Sequence, residues 1–417
     1  MTLAGMTNRW AVIAGGFTLN LMLGIAFSWS VFVRPLMDSF GWTKTAATLP
    51  FTIFIVALAL TMVPAGRAQD RIGPRKVAIF GGMVLGLGFM LGWFIEGIRN
   101  PLWLYLTFGL VAGTGSGLAY ACTIPAARKW FPDRPGLAVG FVTTGAGMSA
   151  LLFAPLQRYL IDTQGLAMTF LIVGIVLLVV SVFSASLLSN PPEGWKPREW
   201  KPQQSVTTPT AVATRDYGLA EVIKSGRFWM LWLMFVFMSA AGLMVIGHIA
   251  AYAEEIGLAA MYAAVAAGVL SVFNAFGRPG SGVLSDKIGV VKSMLILFTI
   301  QGIMMLIFPH FAVAMVTIYI SVAIIGFNFG ANFVLFPSVT ADFFGIKHLG
   351  TNYGLVFTAY GAGATLGPIM ASYIYDTTQS YTMAFTIAAV LIFLAVVMAL
   401  VLNYRYPHAR QRDKQLL

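Results

Sequence analysis

Twelve apolar stretches, each long enough to cross a bilayer, limit what this chain can fold into. They run roughly over residues 9–33, 45–66, 77–96, 102–127, 136–160, 166–188, 227–253, 260–284, 293–310, 312–338, 349–374 and 381–403. A hydrocarbon core about 30 Å thick takes about 20 apolar residues wound as a helix. Inside it every backbone N–H and C=O needs an internal partner, which leaves helices and closed barrels. Barrel strands are short and alternate in polarity, whereas these runs are long and continuous. With 58% hydrophobic and 10% charged residues, the chain reads as an all-α membrane protein of twelve transmembrane helices, not a soluble enzyme.

The formal charge of +11 follows sidedness. With both termini cytoplasmic, 21 of the 26 Lys and Arg residues lie inside and four (Arg34, Lys44, Arg99, Arg158) outside, leaving only Arg278 within a span. That is a positive-inside distribution, and it accounts for the basic balance without a nucleic-acid partner. Cys122 is the only cysteine, so neither an internal disulfide nor a cysteine metal cluster is expected. The first apolar run is too long for a signal-peptide core and lacks a clear cleavage site, so it reads as a permanent helix.

The polar, Pro-rich segment around Pro191-Pro192-Glu193-Gly194-Trp195-Lys196-Pro197 and Ser205-Val206-Thr207-Thr208-Pro209 splits the spans six and six. The expected organisation is a six-helix bundle over 1–190, a cytoplasmic linker over 191–226 and a second six-helix bundle over 227–417. The halves repeat: Gly66-Arg67-Ala68-Gln69-Asp70-Arg71-Ile72-Gly73 returns as Gly282-Val283-Leu284-Ser285-Asp286-Lys287-Ile288-Gly289, an offset of 216. Gly136-Leu137-Ala138-Val139-Gly140 returns as Gly350-Thr351-Asn352-Tyr353-Gly354, an offset of 214. Two matches at nearly one offset mark a duplicated, pseudo-symmetric fold.

Arg278 is the candidate functional centre. It lies eight residues before Asp286, about 12 Å along a helix, and therefore near the midplane. A charge there is costly and marks a solute path. Arginine does not shed its proton, so it calls for an anion. Asn274, four residues earlier, shares its helix face. The repeat puts Met62 and Leu58 where the second half has Arg278 and Asn274, so the polar pair is not a shared packing device. Pro279 has no N–H, which deprives the Ala275 carbonyl of its usual helical donor. By this assignment all fifteen Asp and Glu residues lie near the interfaces, so a carboxylate meeting Arg278 in mid-membrane would come from a solute.

The motif Gly66-x-x-x-Asp70-Arg71-x-Gly73-x-Arg75-Lys76, with twelve spans in two repeats, resembles the major facilitator superfamily over the whole chain. Gly113-x-Gly115-x-Gly117-x-x-Tyr120 and Lys129-Trp130-Phe131-Pro132-Asp133 narrow the resemblance, as do Phe273-Asn274-x-x-x-Arg278-Pro279, Leu335-Phe336-Pro337 and Asn352-Tyr353-Gly354. They are similar to the oxalate/formate antiporter group and its bacterial monocarboxylate-transporter relatives. The resemblance implies that Asp70, Arg71 and Asp286 latch an inner gate. It also implies a second cation, a lysine in the eleventh helix, for a dicarboxylate. Tyr360 stands at that position here. One fixed charge suits one carboxylate, because a dianion would leave a buried charge unmatched.

Tyr120, Asn328, Asn332, Phe357 and Tyr360 are candidates to complete the pocket, with Phe27, Phe329 and Phe333 as apolar walls. His248, in the seventh helix, is the intramembrane group that titrates near neutral pH. Two readings of it stand: a ligand or proton carrier, or a neutral ring bonded to a nearby carbonyl. Gly113-Thr114-Gly115-Ser116-Gly117 lies in an apolar span with no preceding strand, so it reads as a close helix approach and not as a phosphate loop. Gly361, Gly363 and Gly367 read the same way.

No metal-ligand spacing or nucleophile triad appears, so no cofactor, metal site or enzymatic activity is expected. The expectation is a transporter of a small carboxylate such as lactate or pyruvate, coupled to protons and working as a monomer in a bacterial inner membrane. An oxalate-type anion exchanger is the alternative on the same fold. A carboxylate receptor that moves nothing is the alternative of another class, and neither the short tail nor the linker carries a signalling domain for it.

Overall fold

Prolines, glycines and one tight turn set the lengths of the helices. A computed structural model describes residues 8–192, 195, 197, 215–378 and 380–405. Helix α1 (Arg9–Leu23) starts at Asn8, whose side chain accepts from the Trp10 amide at 3.1 Å. It tightens into a 3-10 stretch, Gly24–Ser28, and resumes as Ser30–Phe40. Helices α2 (Lys44–Ile72) and α3 (Pro74–Met90) follow. The next span passes through a π-helical stretch, Tyr105–Ala112, into α4 (Gly113–Trp130). Gly165, at φ +82° and ψ 175°, breaks Pro135–Ser186 into α5 (135–164) and α6 (166–186). The later helices are α7 (Gly226–Glu255), α8 (Ala260–Ile288), α9 (Val290–Phe311), α10 (Met315–Phe344), α11 (Leu349–Thr378) and α12 (Thr382–Arg405). Among the described residues, eleven helical stretches are long and apolar enough to cross a membrane, and the break at Gly165 makes one of them two. The architecture is all-helical with twelve spans, as expected.

The chain forms two compact units, Met1–Trp130 with Phe141–Pro192, and Phe131–Gly140 with Glu193–Leu417. In the first, Trp29 stacks on Phe108 at 4.0 Å, Phe32 on Phe170 at 4.8 Å and Phe54 on Phe108 at 5.1 Å. Pro50 has no N–H, so the Ala46 carbonyl loses its helical donor. The Tyr105 hydroxyl fills the vacancy at 3.2 Å. In the second unit, α8 and α10 meet at glycines: a β-carbon on Gly326 or Gly330 would overlap the Leu270 or Asn274 carbonyl. A β-carbon on Gly367 of α11 would overlap the Ala240 carbonyl of α7. Without a hydrophobic driving force in lipid, such small residues let helices pack by direct backbone approach.

The internal repeat is visible in the backbone. Gly73 has φ +88° and ψ 159°, and its N–H donates to the Gln69 carbonyl at 3.0 Å. Gly289 has φ +92° and ψ 155°, and its N–H donates to the Ser285 carbonyl at 3.0 Å. The Asp-x-x-Gly turn is therefore the same object in both halves, and the left-handed φ is why each copy ends in glycine.

The stretch read as linker ends in order. Gly218 N–H donates to Glu221 Oε2 at 2.9 Å, opening a short helix, Leu219–Lys224. Most of the Pro-rich part read as linker lies outside the described residues.

Candidate functional site

Arg278 sits two-thirds of the way along α8 and is only 2% exposed. Its Nε–H donates to Asn274 Oδ1, one helical turn back, at 3.3 Å. Its guanidinium lies over the Phe333 ring of α10, 4.5 Å from the centroid. That is well within cation–π range, and the attraction is strongest where water is excluded. The approach depends on Gly330: a side chain there would overlap the Asn274 carbonyl and crowd its Oδ1 at 3.1 Å. Phe333, expected as an apolar wall, also presents its ring to the cation. The Gly326-x-x-x-Gly330 spacing was a signal that α10 could come that close.

From Phe333 an aromatic wall continues through the second unit. Tyr360 lies 5.3 Å from Phe333 and 5.1 Å from Phe357, centroid to centroid. Phe329 meets Phe333 edge-on at 5.5 Å, and Phe235 of α7 lies 6.2 Å from Tyr360. Arg278, Asn274, Phe357 and Tyr360 are therefore brought together, with Phe333 as the link. The arrangement offers one fixed cation, a neutral amide that orients it and a wall of rings. That suits a small anion with an apolar body.

Other candidates lie elsewhere. His248 is thirteen residues along α7 from Phe235, about 20 Å of helix. Its Nε2 is 3.4 Å from the Pro368 carbonyl and its Nδ1 is 3.3 Å from the Tyr381 hydroxyl. Asn332 and Asn328 are buried on α10. Helical spacing turns both roughly 160° from Gly330, away from the face packed on α8. Their amides have no hydrogen-bond partner among the described residues. Tyr120 is buried on α4 in the first unit.

Of the turn residues, Asp70 accepts from Gln69 Nε2 at 2.5 Å, and its charge acts on Lys129. Arg71 is exposed. Asp286 caps a helix from outside that helix: its Oδ1 accepts from Gly136 N–H at 2.8 Å and its Oδ2 from Leu137 N–H at 2.9 Å. These are two of the orphan donors at the start of α5, where the helix dipole favours a negative charge. A β-carbon on Gly136 would lie 2.6 Å from the Gly282 carbonyl and 2.7 Å from Asp286 Oδ1. The Gly136 amide lies 150 residues from Asp286, and no sequence pattern named it as the partner.

Comparison with known proteins settles the family. The Major Facilitator Superfamily profile matches residues 16–363 and 282–416. The chain belongs to the major facilitator superfamily. A relative is the uncharacterised MFS-type transporter YhjX of Escherichia coli K12, 32% identical over 85% of this chain and 86% of that protein. The oxalate:formate antiporter of Oxalobacter formigenes is 29% identical over 94% of this chain and 91% of its own length. Monocarboxylate transporter 13 of Rattus norvegicus is 27% identical over 91% and 85%. Among solved structures, the facilitator FucP in its outward conformation matches with a TM-score of 0.70 at 16% identity, over 96% of this chain and 98% of that one. This likeness shows the fold. The chain is thus a multi-pass transporter of this superfamily, similar to proteins named for organic anions.

Proposed function

We propose that this facilitator carries a small monocarboxylate, of the lactate or pyruvate kind, by alternating access and together with a proton. The observation that carries the reading is Arg278: a buried, permanent cation, oriented by Asn274 and faced by Phe333. A carboxylate gains a charge-assisted pair there, and the rings at Phe333, Phe357 and Tyr360 take its apolar body. Asn332, whose buried amide has no hydrogen-bond partner among the described residues, stays in the proposal as a further contact with the solute. Relatives named as monocarboxylate transporters support the substrate class.

The test is a pair of competitors. Lactate should inhibit uptake of labelled lactate, whereas methyl lactate, of similar shape but neutral, should not. Equal inhibition by both would remove the need for a cation at Arg278.

Asp70, Arg71 and Asp286 are the proposed inner latch. The Asp286 cap on α5 supports this, since it holds only while α5 begins where it does. Replacing a capping carboxylate by Ala costs about 0.5–2 kcal/mol. If the capped state is the one open to the outside, Asp286→Ala depopulates it. The KM for external substrate is then expected to rise roughly two- to thirtyfold, with the maximal rate less affected. An unchanged KM would remove Asp286 from the latch.

The proposed proton carrier is His248 or the solute's own carboxyl, and His248 is the one that mutation can test. In the neutral ring, Nε2–H faces the Pro368 carbonyl and Nδ1 accepts from Tyr381. Taking a proton on Nδ1 turns the Tyr381 hydroxyl from donor to acceptor. His248→Gln is expected to keep lactate exchange within about twofold while removing its acceleration by an inward proton gradient. Gradient-driven uptake that survives this change would assign the proton elsewhere.

The alternative on the same fold is exchange of organic anions, favoured by the 29% identity to the oxalate:formate antiporter. Tyr360 in place of a second cation weighs against it.

A further inference from the structure

The segment Arg215–Gly218 binds its own bundle by four separate contacts. Tyr217 N–H donates to the Phe344 carbonyl at 3.0 Å, and the Tyr217 carbonyl accepts from Asn352 Nδ2 at 3.0 Å. Asp216 Oδ1 accepts from the Lys347 amide at 3.1 Å. The Tyr217 ring meets Phe344 edge-on at 5.8 Å. Within the strap, the Arg215 guanidinium lies 5.8 Å from the Tyr217 centroid and is paired to Glu221.

The receiving turn is shaped for this. Gly345 has φ +86°, and a β-carbon there would overlap the Asp216 carboxylate. Asn352 is fully buried, so its amide is committed to the strap and not to water. In the repeat Asn352 stands opposite Ala138, so the first half lacks the anchoring side chain. A shared folding role would put the same chemistry in both halves.

We infer that Arg215–Gly218 is a strap that clasps the α10–α11 connection and restrains the inner end of α11, so that the segment between the two bundles governs how readily the cytoplasmic side opens. Phe344, Gly345 and Lys347 end α10 and lead into α11. Alternating access requires the inner helix ends to change position, and the contacts of Asp216 and Tyr217 fall on the end of α10, the connection and the first turn of α11. Asp216 is exposed and makes its bond through a charged acceptor, so its removal releases the strap without opening a cavity. The inference adds regulation to the transporter reading and extends it, but its test does not depend on that reading.

The test uses the full chain in inside-out vesicles, with Cys122→Ser and Thr351→Cys. Thr351 is 5% exposed at the start of α11, so a membrane-impermeant maleimide reports on opening of the inner end. Adding Asp216→Ala is expected to raise the labelling rate about tenfold, the size of effect of one lost charge-assisted hydrogen bond. Arg215→Ala, which loosens the strap without touching the turn, is expected to raise it less. An equal or slower rate with Asp216→Ala overturns the strap. The labelling needs no substrate: a strap effect in a protein that moves no lactate would contradict the proposed substrate and leave the strap standing.

Discussion

Arg278→Ala is expected to lower lactate uptake by at least about a hundredfold while the protein remains folded and inserted. Removing one partner of a buried charge pair costs about 3–5 kcal/mol, since the other charge is left without compensation. Each 1.4 kcal/mol is a factor of ten in binding. The loss falls on the solute's carboxylate. Asn274 loses the guanidinium it orients and Phe333 the cation it faces. The side chain is 2% exposed, so packing changes too. Arg278→Lys separates the two effects. It keeps the charge and most of the stem but loses the planar fork, and uptake is expected to fall about tenfold. Thermal unfolding of the purified variants checks that each is folded. Normal uptake by a folded Arg278→Ala would remove Arg278 from the substrate path.

Tyr360→Lys is expected to change which acid is accepted. The Tyr360 ring lies 5.3 Å from the Phe333 ring, and Arg278 lies over that same Phe333 ring at 4.5 Å. A lysine there puts a second cation on the same wall. Two like charges in a buried site repel, and a monoanion satisfies only one of them. Lactate uptake should drop at least about tenfold, and oxalate should become a strong competitor, since two carboxylates match two cations. Competition curves for oxalate against lactate, parent and variant side by side, measure this. A variant that still prefers lactate would mean that charge count does not set the selectivity.

The spans were legible because hydrocarbon imposes a length and a composition on every helix that crosses it. Even the break at Gly165 showed as a polar interruption, Asp162-Thr163-Gln164-Gly165, between two apolar runs. The 3-10 stretch after α1 and the π stretch Tyr105–Ala112 left no such mark. Hydrophobicity fixes depth in the bilayer and says little about how tightly a helix is wound. Arg278 was legible for the same reason as the spans: a charge is conspicuous where charges are costly. What faces it was less so, because the contact with Phe333 joins residues 55 apart and is allowed by the bare backbone at Gly330.

His248 stood out by chemistry alone, and chemistry does not give depth. Thirteen residues of α7 separate it from the ring that meets Tyr360. The partner of Asp286 and the docking of Asp216 and Tyr217 were hidden for a common reason. Both use backbone amides as donors, and every residue but proline has one.

The most direct test of the account is uptake of labelled lactate into proteoliposomes holding the purified protein, with and without an inward proton gradient, against pyruvate and oxalate. Accumulation driven by the gradient, blocked by pyruvate and indifferent to oxalate, is the expected result. Uptake that needs preloaded counter-anion, ignores the gradient and is blocked by oxalate would contradict it and make the protein an exchanger.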